Sequence, residues 1–437
     1  MSDTGIDGEL IALDDRDRPM AAFNMSLKSL CFSVRHGSLG SWLRRRRNSL
    51  FGASSDDRRR SRWVCGLIVF VVCGLSTAIQ GCAQSPIPEN FPRWDWQPTI
   101  GPEGASYAGD AACATCHAAE TNTQPNTLMA KALRSPAESE VIRQHPRMTF
   151  RKDRYSYEIR REGSASVYSV SDGKRTIVVP ILAAVGYGLG AVGQTFLLQY
   201  QGYLLESEVT YYDAIGGLDI TPGHQNTTPE FLEGALGIRL PWRDQKACFG
   251  CHATAAATDT KLQLDQMSPG IRCEGCHGAG AAHLAAVKDG RTDDLHIFNP
   301  GSLGPAALND FCGSCHRTAL AEKLLRVRGA QNVRFQGYRL ARSRCYADDR
   351  RITCTACHNP HEPLVRSADA YDAKCLACHS LTQPKQPAAR DLHASACPVA
   401  KANCTSCHMP KIEIPGVHAK FSDHWIRVVK AGSAYPE

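Results

Sequence analysis

Cys354-Thr-Ala-Cys357-His358 is one of seven pentapeptides of the form Cys-x-x-Cys-His in this chain of 437 residues, and its reading decides the fold. The others are Cys113-Ala-Thr-Cys116-His117, Cys248-Phe-Gly-Cys251-His252, Cys273-Glu-Gly-Cys276-His277, Cys312-Gly-Ser-Cys315-His316, Cys375-Leu-Ala-Cys378-His379 and Cys404-Thr-Ser-Cys407-His408. Two thiols three positions apart share one face of a helical turn. There they can form thioethers with the two vinyl groups of a haem, while the adjoining imidazole reaches the iron. Chance would supply on the order of 0.03 such pentapeptides at this Cys and His content. A zinc ribbon is the main competitor, because Cys248/Cys251 with Cys273/Cys276, and Cys354/Cys357 with Cys375/Cys378, have suitable spacings. A ribbon has no use for a histidine directly after its second cysteine. Seven covalent c-type haems are therefore expected, held by the fourteen motif cysteines and ligated through iron by the seven motif histidines.

Working outward, six motifs crowd into the segment from Cys248 to His408, about 30 residues for each, too few for a protein-only core around each site. The fold class this implies is mainly α, with extensive irregular coil around a stacked haem core. The motifs closest in sequence, the second with the third and the fifth with the sixth, suggest paired porphyrins. Residues 147–222 break the pattern: they lack Cys, and Tyr155, Tyr157 and Ile159 alternate with polar positions. Asp172-Gly173 and Gln201-Gly202 read as hairpin turns, and Pro180 as the mark of an edge strand. A small antiparallel β insert is expected there. Gly188-Leu-Gly190-Ala-Val-Gly193 spells a dinucleotide fingerprint, but a strand-like run, Gln194-Thr-Phe-Leu-Leu, follows where a phosphate-binding helix should begin. No nucleotide is expected.

The chain thus divides into a leader at 1–81, a tether at 82–104, a first haem module at 105–146, the β insert at 147–222 and a six-haem domain at 223–437. The leader has basic clusters at Arg44 to Arg47 and Arg58 to Arg60, then an uncharged run from Trp63 to Gln80. Such a run fits an export signal, with Cys82 after Ile79-Gln80-Gly81 as a lipidated residue. An uncleaved membrane anchor is the alternative. Both place the mature chain outside the cytoplasm, in the periplasm and held at the membrane. The formal charge is +7, of which 1–81 carries 12 Lys/Arg against 8 Asp/Glu. Haem propionates would cancel the small remainder, so no nucleic-acid partner follows. Outside the leader and Cys82, two cysteines lie beyond the motifs. Cys345 and Cys397 are either a disulfide or two unpaired thiols.

Seven proximal imidazoles call for seven ligands on the opposite faces. Nine histidines lie outside the motifs, and His36 is in the leader. His283 and His361 are the leading candidates; each sits too close to its own motif to fold back onto the same haem, so each is expected to ligate another. His224 and His424 come next, then His145, His393 and His418, with His296 left over. Met129, Met148, Met267 or Met409 could replace one imidazole and raise that haem's potential.

The run Cys273-Glu-Gly-Cys276-His277-Gly with His283, the Asn-Pro-His ending at His361, and Cys404-Thr-Ser-Cys407-His408-Met-Pro-Lys with Asp423-His424 resemble the multihaem c-type cytochromes of the tetrahaem cytochrome c-552/4 family, relatives of hydroxylamine oxidoreductase. The resemblance covers roughly residues 105 to 430 and implies mostly bis-histidine, low-spin haems that move electrons in the periplasm. This chain departs in having seven motifs and no Cys-x-x-Cys-Lys site. An electron carrier working between redox partner proteins is the first expectation. An oxidoreductase acting on a small nitrogen or sulfur compound at one five-coordinate haem, the first by its isolation beside the β insert, is the second. A docking subunit that uses the β insert is the third.

Overall fold

The computed structural model describes residues 98–430, apart from 225–226, 326–329, 348–351, 380–396 and 398. All of them belong to one unit, Pro92–Glu437. The leader with Cys82, the first part of the tether and His393 lie outside the described residues. Among the described residues no helix is long and apolar enough to cross a membrane.

The β signal grows into much more than an insert. Ten strands form one antiparallel sheet: β1 Leu133–Arg134, β2 Arg147–Lys152, β3 Tyr155–Glu162, β4 Ala165–Ser171, β5 Thr176–Val185, β6 Gly193–Tyr200, β7 Tyr203–Ser207, β8 Val209–Tyr212, β9 Gly217–Ile220 and β10 Gly237–Arg239. The main order is β10-β7-β6-β5-β4-β3-β2, with β1 on β5 and with β8 joining β6 to β9. This overturns the expectation of a mainly α fold with a small β insert: the sheet is a principal architectural element, and it recruits strands from both sides of 147–222. The physical reason lies in the strand faces. Tyr155, Tyr157 and Ile159 on β3 are buried beside Tyr168 and Val170 on β4, in the register Tyr157 with Val170 and Ile159 with Tyr168. Burying each such side chain is worth about 1.5–3 kcal/mol, and Phe196, Leu198, Val209, Tyr211, Leu232 and Leu236 complete the same core.

Both turns read from the sequence are present. Asp172 Oδ1 accepts from the amides of Lys174 (2.8 Å) and Arg175 (2.7 Å), closing the β4–β5 hairpin. Gln201 and Gly202 both have positive φ, 49° and 82°, so Tyr200 and Tyr203 pair across a two-residue turn whose twist suits a hairpin. Pro180 is not on an outer strand of the sheet. It pairs with Val167 of β4, and pairing to β6 begins only at Ile181, with a register shift between Ile181 and Ala183. Its missing N–H therefore falls where β5 changes partners. Gly188 and Gly190 lie in the β5–β6 turn with positive φ, and strand β6 follows them.

The remainder is short helices and coil. In chain order the helices are α1 Asp110–Cys113, α2 Ala118–Thr123, α3 Glu140–Gln144, α4 Trp242–His252, α5 Cys273–His277, α6 Ala281–Lys288, α7 Pro305–His316, α8 Ala319–Leu325, α9 Gln336–Leu340, α10 Arg344–Ala347, α11 Cys354–Cys357, α12 Asp369–Leu376 and α13 Cys404–His408. The first cysteine of every motif lies in one of these helices. Two short hairpins, β11 Ala253–Thr254 with β12 Ser268–Pro269 and β13 Lys411–Ile414 with β14 Ala419–Ser422, brace this part.

Candidate haem attachment sites

Each motif is one turn of helix. The amides of His117, His358 and His379 donate to the carbonyls of Cys113 (2.9 Å), Cys354 (3.0 Å) and Cys375 (2.8 Å), which brings both thiols of a motif to one side. Burial pushes the Cys276 thiol up to about 11 and, with Glu206 adding to it, the Cys248 thiol up to about 12. These thiols are therefore protonated at neutral pH. Among the described residues no disulfide joins Cys345 to Cys397, and no three His, Cys, Asp or Glu side chains cluster in a way that could hold a metal ion.

The motifs are held to one another by a recurring device, in which a polar side chain near one motif accepts the free amides leading into another. Glu274 of α5 takes the amides of Ala108 (2.7 Å) and Gly109 (2.9 Å), just before α1, and that of Gly280 (2.7 Å). Asn309 of α7 accepts from the Cys354 amide (2.9 Å) at the start of α11 and donates to Ile352 O (3.0 Å). Asp372 of α12 accepts from the amides of Asn403 (2.7 Å) and Cys404 (2.8 Å) at the start of α13. Helix starts leave such amides without partners, and a carboxylate or amide oxygen satisfies them. In all three pairs the first cysteines also meet: Cys113 with Cys273, Cys312 with Cys354, and Cys375 with Cys404. Cys251 meets Cys315 through second cysteines. These contacts join motifs 1 and 3, 4 and 5, 6 and 7, and 2 and 4.

The histidines divide by what holds Nδ1. In a haem ligand Nε2 faces the metal, and Nδ1–H is usually given to a carbonyl that fixes the ring. Three motif histidines show this pattern, with Nδ1 on a backbone oxygen: His252 on Ala132 O (3.2 Å), His277 on Phe298 O (3.0 Å) and His408 on Arg427 O (2.9 Å). Two histidines outside the motifs share it, His283 on Leu295 O (2.8 Å) and His424 on Ser422 O (3.0 Å). Burial lowers the proton affinity of His252, His277, His316 and His358, and that of His424 down to about 4, so these rings are neutral, the form that can bind a metal.

Two pairs of rings face one another. His277 and His361 lie 6.0 Å apart between centroids with planes 9° apart, and His358 and His424 lie 6.3 Å apart at 40°. Two imidazoles bound at ~2 Å to opposite sides of one metal ion have centroids ~6 Å apart. Each pair joins a motif histidine to one from elsewhere in the chain, at a separation that would suit a haem iron held between two imidazoles.

The remaining described histidines outside the motifs have side-chain neighbours. His224 is buried, with Nδ1 on Glu208 Oε2 (2.8 Å) and Nε2 3.5 Å from Glu206 Oε2. His418 Nε2 donates to Asp219 Oδ2 (2.7 Å), and His145 Nε2 is 3.3 Å from the Tyr211 hydroxyl. His296 stands beside Asp294 on the surface. Burial lowers the His224 pKa, but Glu206 and Glu208 more than offset it and raise it to about 9. A folded-state value above the ordinary 6.5 stabilises the fold fully below pH 6.5, and the contribution fades as pH rises through 9. Urea unfolding is expected to lose ~2 kcal/mol over that range, less than the whole shift because Glu206 is partly solvated. The His224→Ala variant should lack this dependence; an unchanged pH profile in the variant would rule out the ion pair as its source.

The second and third motifs are joined by a hydrogen bond from the Arg272 amide to Thr254 Oγ1 (2.8 Å). Residues 233–278 match the family cytochrome c554 and c-prime. That segment contains Cys248 to His252 and Cys273 to His277, and it supports covalent c-type haem and a role in electron transfer. Among solved structures, the crystal structure of the outer cell wall cytochrome OcwA is similar over 74% of this chain and 80% of that one, at 14% identity and a TM-score of 0.41. No curated protein matches the chain.

Proposed function

We propose that the chain is an exported heptahaem c-type cytochrome that transfers electrons between redox partners through mostly bis-histidine haems, akin to the tetrahaem cytochrome c-552/4 group. The facing pairs His277/His361 and His358/His424 carry this reading. A pair of axial imidazoles leaves no position for substrate, which suits a carrier. Bound haem supplies a one-electron iron couple. The chain's own groups do the rest: backbone oxygens at Ala132, Phe298, Leu295, Ser422 and Arg427 orient the imidazoles, burial keeps His252, His277 and His424 neutral, and Glu274, Asn309 and Asp372 hold neighbouring attachment helices in contact. Thioether attachment outside the cytoplasm fits the export signal at 63–80, with Cys82 lipidated or the segment kept as an anchor.

The test is the haem content of the mature protein. An alkaline pyridine spectrum and the intact mass should both give seven c-type haems per chain, with low-spin ferric signals dominating the electron paramagnetic resonance spectrum. Bound zinc, or fewer than seven tetrapyrroles, would overturn the assignment.

A further inference from the structure

The stretch Ser422 to Arg427 touches two attachment sites at once. His424 lies opposite His358, and the carbonyl of Arg427 accepts the Nδ1–H of His408. Between them Asp423 is completely buried, and so is its partner Arg339: Arg339 Nε donates to Oδ1 (2.8 Å) and Nη2 to Oδ2 (2.7 Å). Arg427 Nη1 donates to the same Oδ2 (2.6 Å) and to Trp425 O (2.9 Å). The Trp425 amide also donates to Asp423 Oδ1 (3.0 Å), and the Arg339 and Arg427 guanidinia lie 5.0 Å and 4.7 Å from the Trp425 ring. Ser343 closes the far side, donating to His424 O (3.2 Å) and accepting from the Ile426 amide (2.8 Å).

A buried ion pair stabilises a fold little better than apolar side chains of the same volume, because both ions lose their hydration. What this one provides is a fixed backbone path from His424 to Arg427 O. We propose that Arg339, Asp423 and Arg427 are positioning residues that set the imidazoles of His424 and His408 jointly, so that one carboxylate tunes the potentials of two haem sites. This rests on the reading of both histidines as haem ligands.

The physical link is the Nδ1–H···O=C bond. A well-placed carbonyl makes the imidazole a stronger donor to ferric iron and lowers the potential; a displaced one does the reverse. In the full holoprotein, Asp423→Asn should retain all haems while two midpoint potentials rise and two low-spin resonance signals shift, the rest standing still. Arg427→Met leaves the Arg339–Asp423 pair in place and should move the His408 site alone, which keeps the idea testable if Asp423→Asn fails to fold. His424→Ala separates the two levels of the argument. If it leaves every iron low-spin, the ligand reading fails. If it creates high-spin iron while Asp423→Asn and Arg427→Met leave all potentials unmoved, or move all of them equally, the positioning role alone is wrong.

Discussion

His361→Ala is expected to turn one ferric iron from low-spin to high-spin, with a resonance intensity equal to one haem of the set. On the proposed ligation the effect follows from the 6.0 Å, nearly parallel arrangement of His361 and His277, since removing His361 would leave the motif histidine as the only protein ligand on that iron. His424→Ala should do the same at a second site, opposite His358, and the double variant should show two equivalents, because the pairs share no histidine. Added imidazole should restore the low-spin signal in each. His224→Ala and His418→Ala serve as contrasts, since the Nε2 atoms of those residues face carboxylates of Glu206 and Asp219. A high-spin signal from either contrast, or none from His361→Ala, would contradict the pairing of ligands.

The second large effect belongs to Glu274. It is nearly fully buried, and its two oxygens accept from three backbone amides, two of them 165 and 166 residues away in sequence. Each neutral partner left without an acceptor costs about 1 kcal/mol, so Glu274→Ala should destabilise the holoprotein by ~3 kcal/mol in urea unfolding. Glu274→Gln keeps one acceptor oxygen and should cost roughly half of that. The loss should appear first around the first motif, as faster proteolysis near Asp110, because Glu274 accepts the two amides just before that helix and so ties its start to α5. An Ala variant as stable as the parent would mean that solvent takes over these amides.

The sequence was most legible where chemistry depends on neighbours in the chain. Seven pentapeptides and the turns at Asp172-Gly173 and Gln201-Gly202 could be read because their geometry is closed within two to five residues. The extent of the sheet was not legible. β1 has only two residues and β10 three, too short to show a period of two, and each becomes a strand only because β5 or β7 offers it a partner. The linkage of the motifs was hidden for a related reason: Glu274, Asn309 and Asp372 look like ordinary polar residues of short helices until the fold delivers distant amides to them. Ligand choice is similar. His224 and His424 look equally available in the sequence, and only the carboxylates of Glu206 and Glu208 beside one, and the Ser422 carbonyl beside the other, set them apart.

One core of the ten-stranded sheet is aromatic, from Tyr155 and Tyr168 to Phe196 and Tyr211, and a second joins Leu133, Ala183 and Leu197 of the sheet to Phe249 and Ala253 at the second motif. Closing the sheet and seating the second attachment helix are therefore one packing event, since Leu133, Ala183 and Leu197 draw apolar cover on that side from Phe249 and Ala253.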